Sequence, residues 1–306
     1  MRSELGLSAH QLATLRQSLT EVIHCAADTR FDRPLEDSRR VNVLGTGNLL
    51  RLAQQCARIT KFLHVSTVYV AGRCAGRIPE AALTHSARFS NSYQQSKYEA
   101  EDLVRSCSGS LPVAIARISS IIGESGTGRV RQFNHIHQLL KLFPQCAIPM
   151  APYDPAASVD VVPSDWVAEA LTRLFQDHFA SGAVYHLCAS DTENFTVEEM
   201  LAETHRLFAL HPSGAKWLPI RLPKLVPLAE YEEWSLRARR EEKPLLMELI
   251  RVLGYYLPHL GLRQVFENSA TMRMLESAPA LPPIRDTFAS VVRWCLDTDW
   301  GKRDSE

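Results

Sequence analysis

The stretch Asn91-Ser-Tyr-Gln-Gln-Ser-Lys97 decides how the chain is read. It opens a helical run that continues Tyr98-Glu-Ala-Glu-Asp-Leu-Val-Arg105, and a helix sets Tyr93 and Lys97 one turn apart on one face. A phenol with an ordinary pKa near ~10 exchanges protons poorly at neutral pH. An ammonium one turn away stabilises the phenolate and draws that pKa toward the working range, so the pair suits protonating or deprotonating a carbonyl oxygen. Alone the spacing says little, because a Tyr four residues before a Lys recurs by chance in many helices. Upstream, Phe62-Leu-His-Val-Ser-Thr-Val-Tyr-Val70 is an apolar run carrying two hydroxyl residues. It reads as a buried strand that delivers Ser66 and Thr67 to its C-terminal end, where ligands sit in open parallel sheets.

The 306 residues suffice for one large α/β core or for one and a half domains. Hydrophobic residues at 45% and charged residues at 22% are ordinary globular values, so disorder is not the default. Lys plus Arg and Asp plus Glu are both 34, which leaves no electrostatic footprint for nucleic acid or an anionic membrane surface. The cysteines (25, 56, 74, 107, 146, 188 and 295) are scattered without a C-x-x-C pair, which suggests neither a metal site nor a disulfide framework. A reducing, cytoplasmic location is the simplest. Residues 1–8 hold no apolar signal core, and no run of about 18 uncharged apolar residues predicts a spanning helix.

Working outward, Ser8 to Leu19 reads as a short amphipathic helix behind a Ser8 cap, and 20–27 as a buried strand ending in small residues. Ala26 and Ala27 serve either tight helix–sheet packing or the close approach of a flat ligand to the backbone. Pro34 to Arg58 is a long helical pattern. Its Gly45 and Gly47 lie mid-helix with Leu at position 50, so they allow close helix packing and do not cradle phosphate. The loop arginines Arg73 and Arg77 are either solvated or available to phosphate and carboxylate groups. A strand from Leu111 ends at Arg117, a second glycine-rich run occupies 123–128, and Ser164 or Asp165 is expected to cap a helix leading to a late parallel strand at 183–188. From Thr196 the pattern changes. A proline-punctuated stretch at 217–228 and an apolar one at 243–262 suggest a small helical cap, followed by a last helix at 284–294 and a frayed tail from Asp297.

Five segments in this order, Ile23-His-Cys-Ala-Ala-Asp-Thr-Arg-Phe-Asp32, Asn42-Val-Leu-Gly-Thr46, His64-Val-Ser-Thr67, Tyr93-Gln-Gln-Ser-Lys97 and Pro112-Val-Ala-Ile-Ala-Arg117, resemble the extended short-chain dehydrogenase/reductase superfamily. Within it they are most similar to the thioester reductase and fatty acyl-CoA reductase branch. The resemblance implies an α/β fold with a Rossmann-like doubly wound parallel sheet over 1–190, a substrate-side insertion at about 123–160 with a mobile segment over the substrate, and a mostly helical substrate cap over 191–306. It implies Thr67, Tyr93 and Lys97 as catalytic residues. It places Ala26, Ala27, Asn42, Thr67, Tyr93, Lys97 and Ser119 at the cofactor, which would be NADPH or, as a second option, NADH. The substrate would be an acyl thioester of coenzyme A or an acyl carrier protein, reduced to aldehyde or alcohol. Where the family usually has Arg-Pro-Ser, this chain has Arg117-Ile118-Ser119, which frees a backbone N–H at the turn.

A dinucleotide-binding half normally begins with a strand, a glycine-rich turn and a helix, and Leu5-Gly-Leu-Ser8 resembles sequence lying well inside such a domain. About three strands and two helices are expected to be missing. That leaves strand 20–26 as a bare edge that invites pairing with another chain, a second copy included. Either the start lies too far downstream or the gene is a remnant, and these residues alone are expected to bind NADPH weakly or not at all. Two alternatives stand beside the thioester reductase. One is a sugar-nucleotide epimerase, a dehydratase or a hydroxysteroid dehydrogenase on the same scaffold. The other is a non-catalytic remnant that binds a partner.

Overall fold

The structure, a computed structural model, describes residues 3–303 apart from 85–87, 143–148, 191–193, 213–221, 241–246, 248–249, 251–253, 255–259 and 277–279. Helix α1 (Ala9–Ser18) opens on a capping box, in which the Ser8 hydroxyl accepts from the Gln11 N–H while the Gln11 side chain accepts from the Ser8 N–H. Strand β1 (Glu21–His24), helix α2 (Leu35–Gln54), strands β2 (Lys61–Thr67) and β3 (Gly76–Ile78), helix α3 (Ser92–Ser106) and strand β4 (Val113–Ile118) follow. Next come β5 (Ser120–Gly123), α4 (His135–Leu142), β6 (Met150–Pro152), β7 (Ser158–Val159), β8 (Val161–Pro163), α5 (Ser164–Asp177) and β9 (Val184–Leu187). The last part holds β10 (Phe195–Thr196), α6 (Val197–Leu210), β11 (Lys224–Val226), α7 (Leu228–Arg240), β12 (Gln264–Phe266), α8 (Ser269–Met274) and α9 (Ile284–Asp297).

The main sheet runs in the order β1-β2-β4-β9 with every pairing parallel, the arrangement that helical crossovers produce. Alternate residues of β2 and β4 pack on opposite faces of the sheet, which is why both strands are largely buried. Phe62, Val113 and Ile115 pack with Leu50, Ala53 and Val104 of α2 and α3 on one face. Leu63, Ala114, Ala116 and Ile118 join Trp166, Val167, Ala170 and Leu174 of α5 on the other. Each fully buried large side chain of this kind contributes about 2–3 kcal/mol. The doubly wound sheet read from the sequence is therefore present. Strand β1 departs from its apolar pattern: only His24 is buried, Ile23 is 44% exposed, and β1 is an edge of the sheet.

The C-terminal residues share this core, since Phe288, Val291, Val292 and Cys295 of α9 cluster with Ile122, Val161 and Phe195. The glycine-rich run 123–128 forms a turn with Gly128 N–H on Glu124 O (2.9 Å) and Glu124 N–H on Arg129 O (3.0 Å). Gly128 has φ +71°, and a Cβ there would lie 2.2 Å from Ser290 O, so only glycine lets the turn meet α9. Neither Ser164 nor Asp165 caps α5. Pro163 holds that position, while the Asp165 carboxylate accepts from Ser125 N–H (2.9 Å) and Ser125 Oγ–H (2.5 Å) across the turn. The tail is ordered through Arg303, with Trp300 N–H on Cys295 O (2.7 Å) and Arg303 N–H on Thr298 O (2.8 Å), because the chain folds back on the end of α9. Most of the expected stretch at 243–262, residues 217–221 of the proline-punctuated one, and Cys146 lie outside the described residues. Arg73 and Arg77 meet carboxylates of the chain itself, Glu232 at 3.1 Å and Glu267 at 3.8 Å.

Candidate active site

The site forms where β2 ends and α3 begins. Thr67 closes β2 and is buried, with its hydroxyl accepting from the Tyr69 N–H (3.3 Å). The Asn91 side chain caps α3 by accepting from the Gln94 N–H (3.0 Å), and this fixes the first turn so that the Tyr93 phenol hydrogen-bonds the Thr67 side chain. One turn on, the Lys97 ammonium is buried and donates to Val65 O (2.8 Å) and to His64 Nε2 (3.1 Å). The hydroxyl, phenol and ammonium are thus gathered at one end of the sheet.

Electrostatics depart from the sequence expectation. Burial pushes the Tyr93 phenol up to about 12, with the Thr67 hydrogen bond pulling the other way. It pushes the Lys97 ammonium down to about 8 against the opposing influence of Glu101 and Cys25. The phenol is not brought toward neutrality, because the Lys97 ammonium is directed to β2. It stays protonated, which is the form that donates.

The other expected residues divide. Ala26 lines an open groove of about 420 Å³ with His24, Val41 and Gly45, whereas Ala27 is half-buried beside it. Asn42 is buried and its amide is taken up: Oδ1 accepts from Asp28 N–H (2.8 Å), and Nδ2 donates to Asp28 O (3.0 Å) and Ser96 Oγ (2.9 Å). It pins the loop after β1 to the residue beside Lys97. The Ser119 hydroxyl donates to Asp160 O (2.7 Å), tying the end of β4 to the segment before β8. Ser66 Oγ and Asn91 Nδ2 are buried without a hydrogen-bond partner.

Several neighbours carried no usable signal in the sequence. The Phe31 ring stacks on Tyr93 (5.5 Å between centroids, 18° between planes) and on His135 (5.0 Å). Tyr69 OH meets Ser120 Oγ (2.8 Å), which meets His135 Nε2 (3.2 Å). Phe31, Tyr69 and His135 line a cavity of about 30 Å³ with Leu139, Asp160 and Phe266, so an aromatic and largely apolar recess lies next to the phenol. His64 and Tyr69 stand inside the quoted strand motif, but only tertiary contacts give them a place.

The model of the family described as Male sterility protein matches residues 1–171. The isonitrile lipopeptide synthase of Streptomyces coeruleorubidus is 31% identical over 177 residues, covering 56% of this chain and 12% of that protein. The fatty acyl-CoA reductase wat of Drosophila melanogaster is 27% identical over 143 residues, covering 39% of this chain and 28% of its own. The chain therefore spans less than a third of the length of either relative. The crystal structure of the terminal R domain from the myxalamid PKS-NRPS biosynthetic pathway superposes with a TM-score of 0.75 at 24% identity, covering 98% of this chain and 73% of that one, a likeness of fold. No helix among the described residues is long and apolar enough to cross a membrane.

Proposed function

Because the chain belongs to the Male sterility protein family, an NAD-binding family by its designation, we propose that it reduces an acyl thioester of coenzyme A or a carrier protein at the expense of NADPH. One observation carries this: the Thr67 hydroxyl, the protonated Tyr93 phenol and the buried Lys97 ammonium gather at the C-terminal end of β2. The relatives' names, a fatty acyl-CoA reductase and a lipopeptide synthase, agree with a thioester substrate.

The residues present fit a nicotinamide nucleotide. Lys97 has a third N–H beyond the two given to Val65 O and His64, Ser66 Oγ and Asn91 Nδ2 are buried without partners, and Ala26 leaves an open groove beside β1. Lys97 would hold the ribose hydroxyls, with Ala26 and Ala27 bordering the groove beside β1 and Asn42 and Ser119 steadying the surrounding chain. The nucleotide, when bound, supplies a hydride to the thioester carbon. Tyr93 donates its proton to the oxygen on which charge builds, and Thr67 hydrogen-bonds the phenol and orients it. Loss of the thiol from the tetrahedral carbon leaves an aldehyde, and Phe31, Leu139 and Phe266 offer apolar surface to the acyl group. Incubating the full-length protein with NADPH and a panel of acyl-CoA and carrier-bound thioesters tests the proposal. Thiol release with aldehyde or alcohol is the expected result, and turnover confined to a nucleotide sugar or a steroid would replace it.

A further inference from the structure

Lys97 is 2% exposed and His64 is not exposed at all, yet the two meet at 3.1 Å through Nζ and Nε2. An ammonium only donates, so Nε2 must accept and the ring proton must sit on Nδ1. His64 Nδ1 is buried without any hydrogen-bond partner. A buried donor left unmatched is costly, and the fold tolerates it while Nε2 serves Lys97. Burial, Lys97 and His24 all hold the ring far below the usual histidine range, so it does not charge and repel the ammonium. The His24 ring packs against it (5.2 Å between centroids), is itself neutral through burial, and has its Nε2 engaged with Thr46 Oγ1 (2.9 Å).

We propose that His64 is a positioning residue: a permanently neutral Nδ1–H imidazole whose Nε2 lone pair keeps the Lys97 ammonium charged and aimed inside a buried site. With Val65 O taking a second N–H, only the third points elsewhere, and its direction is fixed by the two bonds to β2. The titratable groups that interact with the Lys97 charge are His24 of β1 and Cys25 just after it, His64 of β2 and Glu101 of α3; Tyr93 lies one turn before Lys97 on α3, and from α2 the uncharged Thr46 holds His24 and Asn42 holds Ser96. Glu101 favours the charge, but it is held by Arg117 at 2.7 Å and 3.0 Å. His64 is the neighbour that accepts directly from the ammonium through a side chain. The proposal deepens the reductase reading by giving the lysine its support, but it is tested without turnover.

The test is a pH titration of the Lys97 13Cε resonance in the full chain, compared with His64→Leu, which fills the space without an acceptor, and His64→Gln, whose Oε1 can stand where Nε2 does. Leu should lower the Lys97 midpoint by about one pH unit or more, and Gln should restore it. An unchanged midpoint in a folded Leu variant overturns the proposal. Should the Leu variant not fold, the wild-type imidazole 15N spectrum decides: Nδ1–H with no protonation down to pH 5 supports the assignment, whereas Nε2–H or a charged ring refutes it. A shifted Lys97 midpoint without thioester turnover would leave the positioning role standing and remove the substrate assignment. Turnover with an unmoved midpoint would do the reverse.

Discussion

Two protonation states, those of Tyr93 and Lys97, set the chemistry of the site. Tyr93 is protonated through the working range, so Tyr93→Phe removes the proton donor and leaves the ring stacked on Phe31. We expect kcat to fall by about 10²–10⁴-fold with thermal stability nearly unchanged, measured by steady-state kinetics and calorimetry. Lys97 titrates near 8, below its ordinary value, so the charged form prevails at pH 7 and is lost as pH rises through about 8. Cofactor affinity should therefore weaken about tenfold per pH unit above that point, seen by fluorescence titration of NADPH. The one-turn spacing of Tyr93 and Lys97 was legible from helix periodicity and the hydroxyl at Thr67 from the apolar run that carries it, while their grouping rested on the order of five segments that resemble a known family. The direction of the Tyr93 shift was not legible, because it depends on how deeply the phenol lies and on where Lys97 points. His64 was likewise invisible as a partner, since its tautomer is set by a contact 33 positions away.

Elements show which local signals survive folding. The Ser8 capping box and the Asn91 cap formed where the sequence places a short polar side chain ahead of an amphipathic run. Asp165 carried a similar signal but accepts from Ser125 on a turn 40 positions away, a competing partner that no local pattern reveals. The short pairs β5–β8 and β3–β12 were unread for the same reason, since strands of three or four residues take their pairing from distant chain. The mobile segment over the substrate is what the family resemblance implies, and the glycines at 123–128 by themselves suit looseness and close approach alike. At Gly128 the second applies. Gly128→Ala would drive a methyl group into the α9 backbone at a positive φ, so it should destabilise the protein by about 2–4 kcal/mol in urea unfolding, with the α9 end loosening first in hydrogen exchange.

Across the whole molecule, the parallel doubly wound sheet and the family followed from the five quoted segments, whereas the strand order β1-β2-β4-β9 was not read from the sequence. What joins the parts was hidden in one buried ion. Arg117, fully buried in β4, grips Glu101 of α3 at 2.7 Å and 3.0 Å, Ala81 O at 2.9 Å and His186 Nε2 at 3.2 Å, and His186 Nδ1 in turn meets Glu267 O (2.7 Å). The segment read in the sequence only as a departure from Arg-Pro-Ser thus ties α3, the central sheet and the C-terminal part together. Arg117→Met should cost about 3–5 kcal/mol by stranding Glu101, and adding Glu101→Leu should recover a large share of it, as a double-mutant cycle in denaturant would show. The most direct test of the central claim is a single stoichiometry: NADPH consumed, thiol released and carbonyl product formed by the full-length protein acting on an acyl thioester. One thiol for each aldehyde, at a rate that Tyr93→Phe nearly abolishes, is the outcome this account predicts. An equal rate in wild type and Tyr93→Phe, or no thiol released from any acyl thioester, would contradict it.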